Sequence, residues 1–115
     1  MIKKAADMPS ENREQMRGGD GTVTLTHAFS PNEWGSSTRL FSKVTLPPGT
    51  SIGYHLHEGE EEFFFFLAGE AEYNDNGTLV SVKAGDATLA PDGHGHAVRN
   101  TGDGPLELIA AIVRY

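Results

Sequence analysis

Residues 49–69 read GTSIGYHLHEGEEEFFFFLAG, from Gly49 to Gly69. His55 and His57 are two apart. In a strand, side chains two apart leave on the same face, so both imidazoles can converge on one point. After a short acidic loop, Glu62 opens the apolar run Phe63 to Leu67. If that loop reverses the chain, Glu62 lies beside the two histidines on the neighbouring strand. Two neutral imidazoles and a carboxylate form a partial shell for a divalent transition metal. His96, in GDATLAPDGHGHAVRN (Gly85 to Asn100), can supply one ligand more.

Outward from this stretch the chain is punctuated at short intervals. TVTLTHAF, Thr22 to Phe29, alternates β-branched and apolar residues as a strand does. A loop with Pro31, Trp34 and Gly35 follows, then a strand over Thr38 to Leu46 that ends at Pro47-Pro48, since proline cannot donate to a ladder. Further strands are expected over Ser51–His57, Phe63–Tyr73 (interrupted at Gly69), Thr78–Val82, Ala87–Ala90, His94–Asn100 and Leu106–Val113. Asn74-Asp75-Asn76-Gly77 is a hairpin signal, because Asn and Gly tolerate the positive φ of such turns. Eight to ten short strands with turn signals roughly every 8–12 residues predict a β-sandwich or small barrel. Residues 1–21 read as an N-terminal arm or strand and 22–115 as the domain proper. Within the arm, Ile2–Ala6 suits a short strand and Ser10–Met16 one helical turn capped by Ser10.

Composition narrows the chemistry. A chain of 115 residues forms one domain with a single core. It has no cysteine, which excludes disulfides, zinc–thiolate sites and thiol catalysis. The formal net charge is −7 and there is no Lys/Arg cluster, so neither nucleic acid nor an anionic membrane is an expected partner. The start, MIKKAADMPSENREQ, lacks the apolar core of a secretory signal, and no run is long enough to span a bilayer. A cytoplasmic location is the expectation.

Two motifs in this chain resemble those of the cupin superfamily. The first is Gly, five residues, His-x-His, a short gap, Glu, six residues, Gly, met here by Gly49, His55, His57, Glu62 and Gly69. The second is Gly, five residues, Pro-x-Gly, two residues, His, three residues, Asn, met by Gly85, Pro91, Gly93, His96 and Asn100. The resemblance implies an all-β, single-domain jelly roll, a double-stranded β-helix barrel with a metal between its sheets. His55, His57, Glu62 and His96 would be the ligands. More narrowly, the chain resembles small single-domain cupins described as oxalate decarboxylase-like or sugar-isomerase-like. Oxalate decarboxylases resemble two fused domains with a positioned arginine and a lid glutamate, and neither residue is matched in this chain.

A 3-His/1-Glu set leaves positions for water or ligand and suits one divalent ion per chain, Mn, Fe, Co, Ni or Zn. Glu58, Glu60 and Glu61 read as a solvated acidic loop, or as a lid that carries Glu60 over the metal as acid or base. Alternation turns Phe64 and Phe66 toward a pocket floor and Phe63 and Phe65 outward. Covering the outward pair suggests a homodimer. Arg39, inward, would clamp a carboxylate; outward, it is solvated. Arg99 and Tyr54 point away from the ligands by parity, His94 reads as an exposed turn residue, His27 as a wet-face residue, and Tyr73 has no assigned place. The leading functional expectation is a metalloenzyme for a small oxygen-rich carboxylate or sugar-derived acid, of decarboxylase, isomerase or lyase type. An Fe(II) dioxygenase, a non-enzymatic binding module and a structural or storage barrel are the alternatives.

Overall fold

Alternation sets which residues enter the core. β2 (Thr22–Phe29) buries Val23 and Leu25, β3 (Thr38–Leu46) buries Ser42, Val44 and Leu46, and β10 (Leu106–Arg114) buries every second residue from Leu106 to Ile112. The computed structural model describes residues 1–115 and adds β1 (Ser10–Glu14), β4 (Ser51–Leu56), β5 (Glu60–Ala68), β6 (Glu70–Asp75), β7 (Thr78–Lys83), β8 (Ala87–Ala90) and β9 (Gly95–Asn100). All strand pairs are antiparallel. They form one sheet in the order β1-β2-β3-β10-β5-β8 and another in the order β4-β9-β6-β7.

The core lies between the sheets. Leu25, Val44, Leu46, Phe64, Phe66 and Leu108 face it from the larger sheet, and Ile52, Ala71, Tyr73 and Val98 from the smaller. Each large apolar side chain buried there contributes about 1.5–3 kcal/mol relative to exposure. This is the expected jelly roll, built as two facing sheets; hydrogen bonding does not close them into one continuous barrel. No helix is long and apolar enough to cross a membrane.

The long apolar run is divided at Gly69. Its φ is +88°, and a Cβ there would sit 2.7 Å from the Pro105 carbonyl oxygen. Glycine therefore lets the chain turn sharply out of β5 in one sheet and into β6 in the other. The arm differs from expectation. Ser10–Met16 does not form a helical turn: Ser10–Glu14 pairs along β2, from Ser10 opposite Thr26 to Glu14 opposite Thr22. One turn of helix is marginal alone, whereas the edge of β2 offers a row of backbone partners. Ile2–Ala6 likewise gives no strand, only a 3-10 turn at Ala5–Asp7.

Candidate metal centre

A bulge aims the first histidine. Ile52 and His55 are three apart, so plain alternation would put them on opposite faces. Ile52 pairs with Val98 and His55 with His96, which sets two residues, Gly53 and Tyr54, against Ala97 alone. The extra residue restores His55 to the inner face and turns Tyr54 to solvent. His96 stands directly across the ladder from His55. His57 follows β4, where its N–H donates to the His94 carbonyl at 3.1 Å and its carbonyl accepts from Gly93 N–H at 2.7 Å. Glu62 does not come from the neighbouring strand, as the sequence suggested. β4 and β5 belong to different sheets, and Glu62 reaches the histidines across the core.

The four side chains meet at one point. Glu62 Oε1 is 2.9 Å from His57 Nε2, 2.8 Å from His96 Nε2 and 3.8 Å from His55 Nε2. His57 Nε2 and His96 Nε2 are 3.1 Å apart, close to the roughly 3 Å edge that neighbouring ligands make around an ion with ~2.1 Å bonds. Each imidazole presents Nε2 because its other nitrogen is engaged. His55 Nδ1–H donates to the Gly53 carbonyl at 2.8 Å, and His57 Nδ1–H to Glu60 Oε2 at 2.7 Å. A carbonyl and a carboxylate can only accept, so Nδ1 carries a proton in both rings, and an Nε2 that gives up its own proton would turn a lone pair toward a metal. His96 Nδ1 lies 2.7 Å from the Tyr73 hydroxyl, which can accept its proton in the same way. Three imidazole nitrogens and a carboxylate oxygen, all from buried or nearly buried residues, are a donor set suited to a divalent transition metal.

Proton chemistry is strongly coupled here. Burial alone would raise the Glu62 pKa, but the imidazoles of His55, His57 and His96 around it, the last two within hydrogen-bond distance, outweigh burial and hold the carboxyl far below its ordinary range. The bond to Glu62 raises the His57 pKa against the effect of burial, with Glu60 adding to the rise. Burial lowers that of His96. Burial also pushes the Tyr73 hydroxyl up to about 12, so it stays a neutral partner for His96. A metal must therefore displace a proton from His57 but not from His96. Metal affinity is expected to climb with pH, about tenfold per unit for one displaced proton, from below the ordinary histidine value of 6.5 until the raised His57 pKa is passed. Calorimetric titrations with Mn(II) at pH 6, 7 and 8, in buffers of different ionisation enthalpy, would check both the slope and the proton released. A flat profile would contradict the coupling.

Glu60 is the first residue of β5 and is tied on both sides, not carried on a free loop. Its carboxylate accepts from Arg39 Nε at 2.9 Å and Nη2 at 2.8 Å, while Oε2 also accepts from His57. Arg39 holds the Glu60 pKa down, and Glu60 in turn raises that of Arg39. Arg39 is itself a bulge residue. Leu40 pairs with Ile112 and Thr38 with Val113, leaving Arg39 unmatched and free to turn toward the site, so strand parity gave no register for it. Glu60→Gln keeps the shape but weakens the acceptor of the His57 proton, and is expected to lower metal affinity about 10–100-fold. Equilibrium dialysis against Mn(II) would show it; an unchanged affinity would mean that Glu60 serves only Arg39.

A cavity of about 70 Å³ opens on the cluster, lined by His55, His57, Glu62, Arg39 and Phe64, by apolar side chains of the core, and by Arg13, Met16 and Arg17 from the arm. Phe64 also stacks on the His96 ring, with centroids 4.9 Å apart at 26°. Phe66, expected on the pocket floor, does not line this cavity: it is fully buried in the core. His94 and Arg99 are exposed, as expected, and Arg99 pairs with Asp20. His27 is not on a wet face but half-buried, 2.6 Å from Ser42 Oγ and 2.8 Å from Glu11. Sequence reasoning missed the roles of Tyr73, Arg13 and Arg17. Tyr73 was findable, since it shares inward parity with Ala71; the arginines carried no signal.

Comparison with known proteins bears on this arrangement. The family model described as "Cupin domain" matches residues 42–112. The chain is 40% identical over 113 residues to the oxalate-binding protein of Thermotoga maritima, spanning 98% of this chain and 93% of that one. It superposes with a TM-score of 0.95, at 39% identity and over the full length of both chains, on a Thermotoga maritima crystal structure described as a predicted oxalate decarboxylase. A cupin-superfamily sugar phosphate isomerase from Silicibacter pomeroyi shares the fold, with a TM-score of 0.70 at 22% identity over 81% of this chain and 60% of that one.

Proposed function

This chain belongs to the cupin family, and from that premise we propose that it holds one divalent transition metal through His55, His57, Glu62 and His96 and uses it to bind a small carboxylate of the oxalate class. The convergence of three Nε2 atoms on one carboxylate oxygen carries the reading. The cavity supports it, since its volume of about 70 Å³ beside the cluster suits a ligand of a few heavy atoms. The oxalate-binding relative, similar over nearly the whole chain, supports the ligand class. When bound, the metal would supply Lewis-acid polarisation of carboxylate oxygens. The chain's own residues orient the three imidazoles through Gly53, Glu60 and Tyr73, keep Glu62 ionised, and give the cavity an apolar lining with Phe64, Leu40 and Ile112.

Titrating oxalate into Mn(II)-loaded and chelator-stripped protein tests this reading. Binding at least about 100-fold tighter in the loaded protein is expected, and equal binding in both would overturn it. Turnover, by decarboxylase, isomerase or lyase chemistry on a small carboxylate or sugar-derived acid, is the second reading. It requires a proton donor at the ligand. Glu62 is the only acid lining the cavity, and Glu60 is committed to Arg39 and His57, which favours binding without conversion. Carbon-13 spectra showing oxalate unchanged would support binding, whereas formate with carbon dioxide would move the reading to a decarboxylase. Oxygen uptake with Fe(II) would instead support a dioxygenase.

The outer face of the larger sheet supports a homodimer. Phe41, Ala111, Phe63 and Leu89 lie in one cross-strand row over β3, β10, β5 and β8, with Phe65 and Leu67 beside them. Their large side chains are between 38% and 48% exposed, an apolar band that a second copy would cover. Light scattering at micromolar concentration is expected to give twice the chain mass, reduced to one chain by Phe65→Glu. A monomeric wild type would contradict the proposal.

A further inference from the structure

We infer that the turn from Gln15 to Gly19 is a built wall of the ligand pocket, and that Arg17 on it selects doubly charged small anions over singly charged ones. This rests on the metal-anchored carboxylate reading. The turn lies in the arm, outside both sequence motifs, yet Met16 and Arg17 line the same cavity as His55, His57 and Glu62. Its backbone is held in an unfavourable form. Gln15 and Arg17 have φ of 48° and 53°, left-handed values that cost a non-glycine residue about 1 kcal/mol or more each.

The surroundings enforce that conformation. Gln15 N–H donates to the Gly21 carbonyl at 2.8 Å, Gly18 N–H to Gln15 at 2.9 Å and Gly19 N–H to Met16 at 2.9 Å. Ser51 N–H donates to the Asp20 carbonyl at 3.0 Å, and Asp20 N–H to Ser51 Oγ at 2.9 Å, which ties the turn to β4. The two backbones touch where neither has a side chain. A Cβ on Gly53 would overlap the Arg17 carbonyl, and one on Gly19 would overlap that of Ser51. Gly53 is also the residue whose carbonyl orients His55. The arm is thus fastened to the strand that carries the metal cluster, and Arg17, exposed to solvent, is among the residues that line the cavity.

Charge decides what Arg17 is for. Three arginines line the cavity. Arg13 is paired with Glu11 at 2.9 Å and Arg39 with Glu60 at 2.8 Å, while Arg17 has no ion pair. A divalent ion less the Glu62 carboxylate leaves one positive charge, and Arg17 adds a second. A monocarboxylate would neutralise the first and leave Arg17 unanswered, whereas a dicarboxylate answers both, with a charge-assisted hydrogen bond to the guanidinium.

Arg17→Gly is the discriminating variant, because glycine accepts the left-handed backbone while removing the side chain and its cation, and Arg17→Lys restores the charge. Mn(II)-loaded wild type, Arg17→Gly and Arg17→Lys would be titrated with oxalate and with acetate, alongside metal content and thermal unfolding. Arg17→Gly is expected to keep its metal and to unfold at the same or a higher temperature. Its Kd for oxalate should rise about tenfold while that for acetate changes less than about twofold, and lysine should restore part of the difference. Unchanged oxalate binding in Arg17→Gly, or equal losses for oxalate and acetate, would overturn the inference and leave the metal-anchored reading standing. A wild type that binds neither anion would overturn both.

Discussion

Replacing His96 by alanine is expected to lower metal affinity about 100- to 1000-fold. Structural four-ligand sites supply apparent free energies of ~10–16 kcal/mol, so one ligand of four is worth about 3 kcal/mol, or two to three decades in Kd. The metal-free fold should suffer as well. His96 is fully buried, stacked on Phe64, and bonded to both Glu62 and Tyr73. Alanine leaves a cavity, strands the Tyr73 hydroxyl and takes one donor from a carboxylate that needs its donors to stay ionised. A loss of about 2–4 kcal/mol in unfolding free energy follows. Competition dialysis would measure the first effect and urea unfolding in chelator the second. Wild-type metal affinity in His96→Ala would mean that the ion, if held, is held elsewhere.

Phe66→Ala should show the opposite split, with a large loss of stability and little change at the site. Phe66 is fully buried, meets Phe64 edge-on with centroids 6.2 Å apart, and lies outside the cavity. Truncating a buried phenylalanine costs about 3–5 kcal/mol, which in a domain of this size lowers Tm by roughly 10–20 °C. Metal stoichiometry at 20 °C should remain that of the wild type, with Kd within about threefold. Thermal unfolding and one calorimetric titration check both halves. A modest Tm change with a large loss of metal would return Phe66 to the pocket floor.

The contrast between those two positions shows where the sequence is readable. Phe64 and Phe66 are inward by the same alternation, and period-2 patterning assigns a face correctly. It does not say where along the strand the core ends and the cavity begins, which depends on what the opposite sheet supplies at each level. The strands themselves were legible: Thr22–Phe29, Thr38–Leu46 and Ala87–Ala90 have their observed bounds, because β-branched runs stop at Gly, Pro and Asn turns. The ligand set was legible because both motifs keep fixed spacing on short strands. Bulges were not. Gly53–Tyr54 and Arg39 break the parity by which side chains are assigned to faces, and a bulge is fixed by the register of two strands distant in sequence. The arm was least legible. SENRE has little β-propensity and all five of its residues are exposed, so only the free edge of β2 makes it a strand and brings Met16 and Arg17 to the pocket. Glu60 falls between these cases. Its charge read as a solvated loop, and only the approach of Arg39 from β3 shows why it is ordered.

The central claim is that these four side chains hold an ion. The most direct measurement is the metal content of untagged protein, purified without a nickel column, by inductively coupled plasma mass spectrometry. The double variant His55→Ala/His96→Ala would be purified and measured in parallel. About one equivalent of a single divalent transition metal per chain is expected in the wild type, and less than about a tenth in the variant. A wild type that stays empty after Mn, Fe, Co, Ni and Zn have each been offered, or a variant that retains its metal, would contradict the claim.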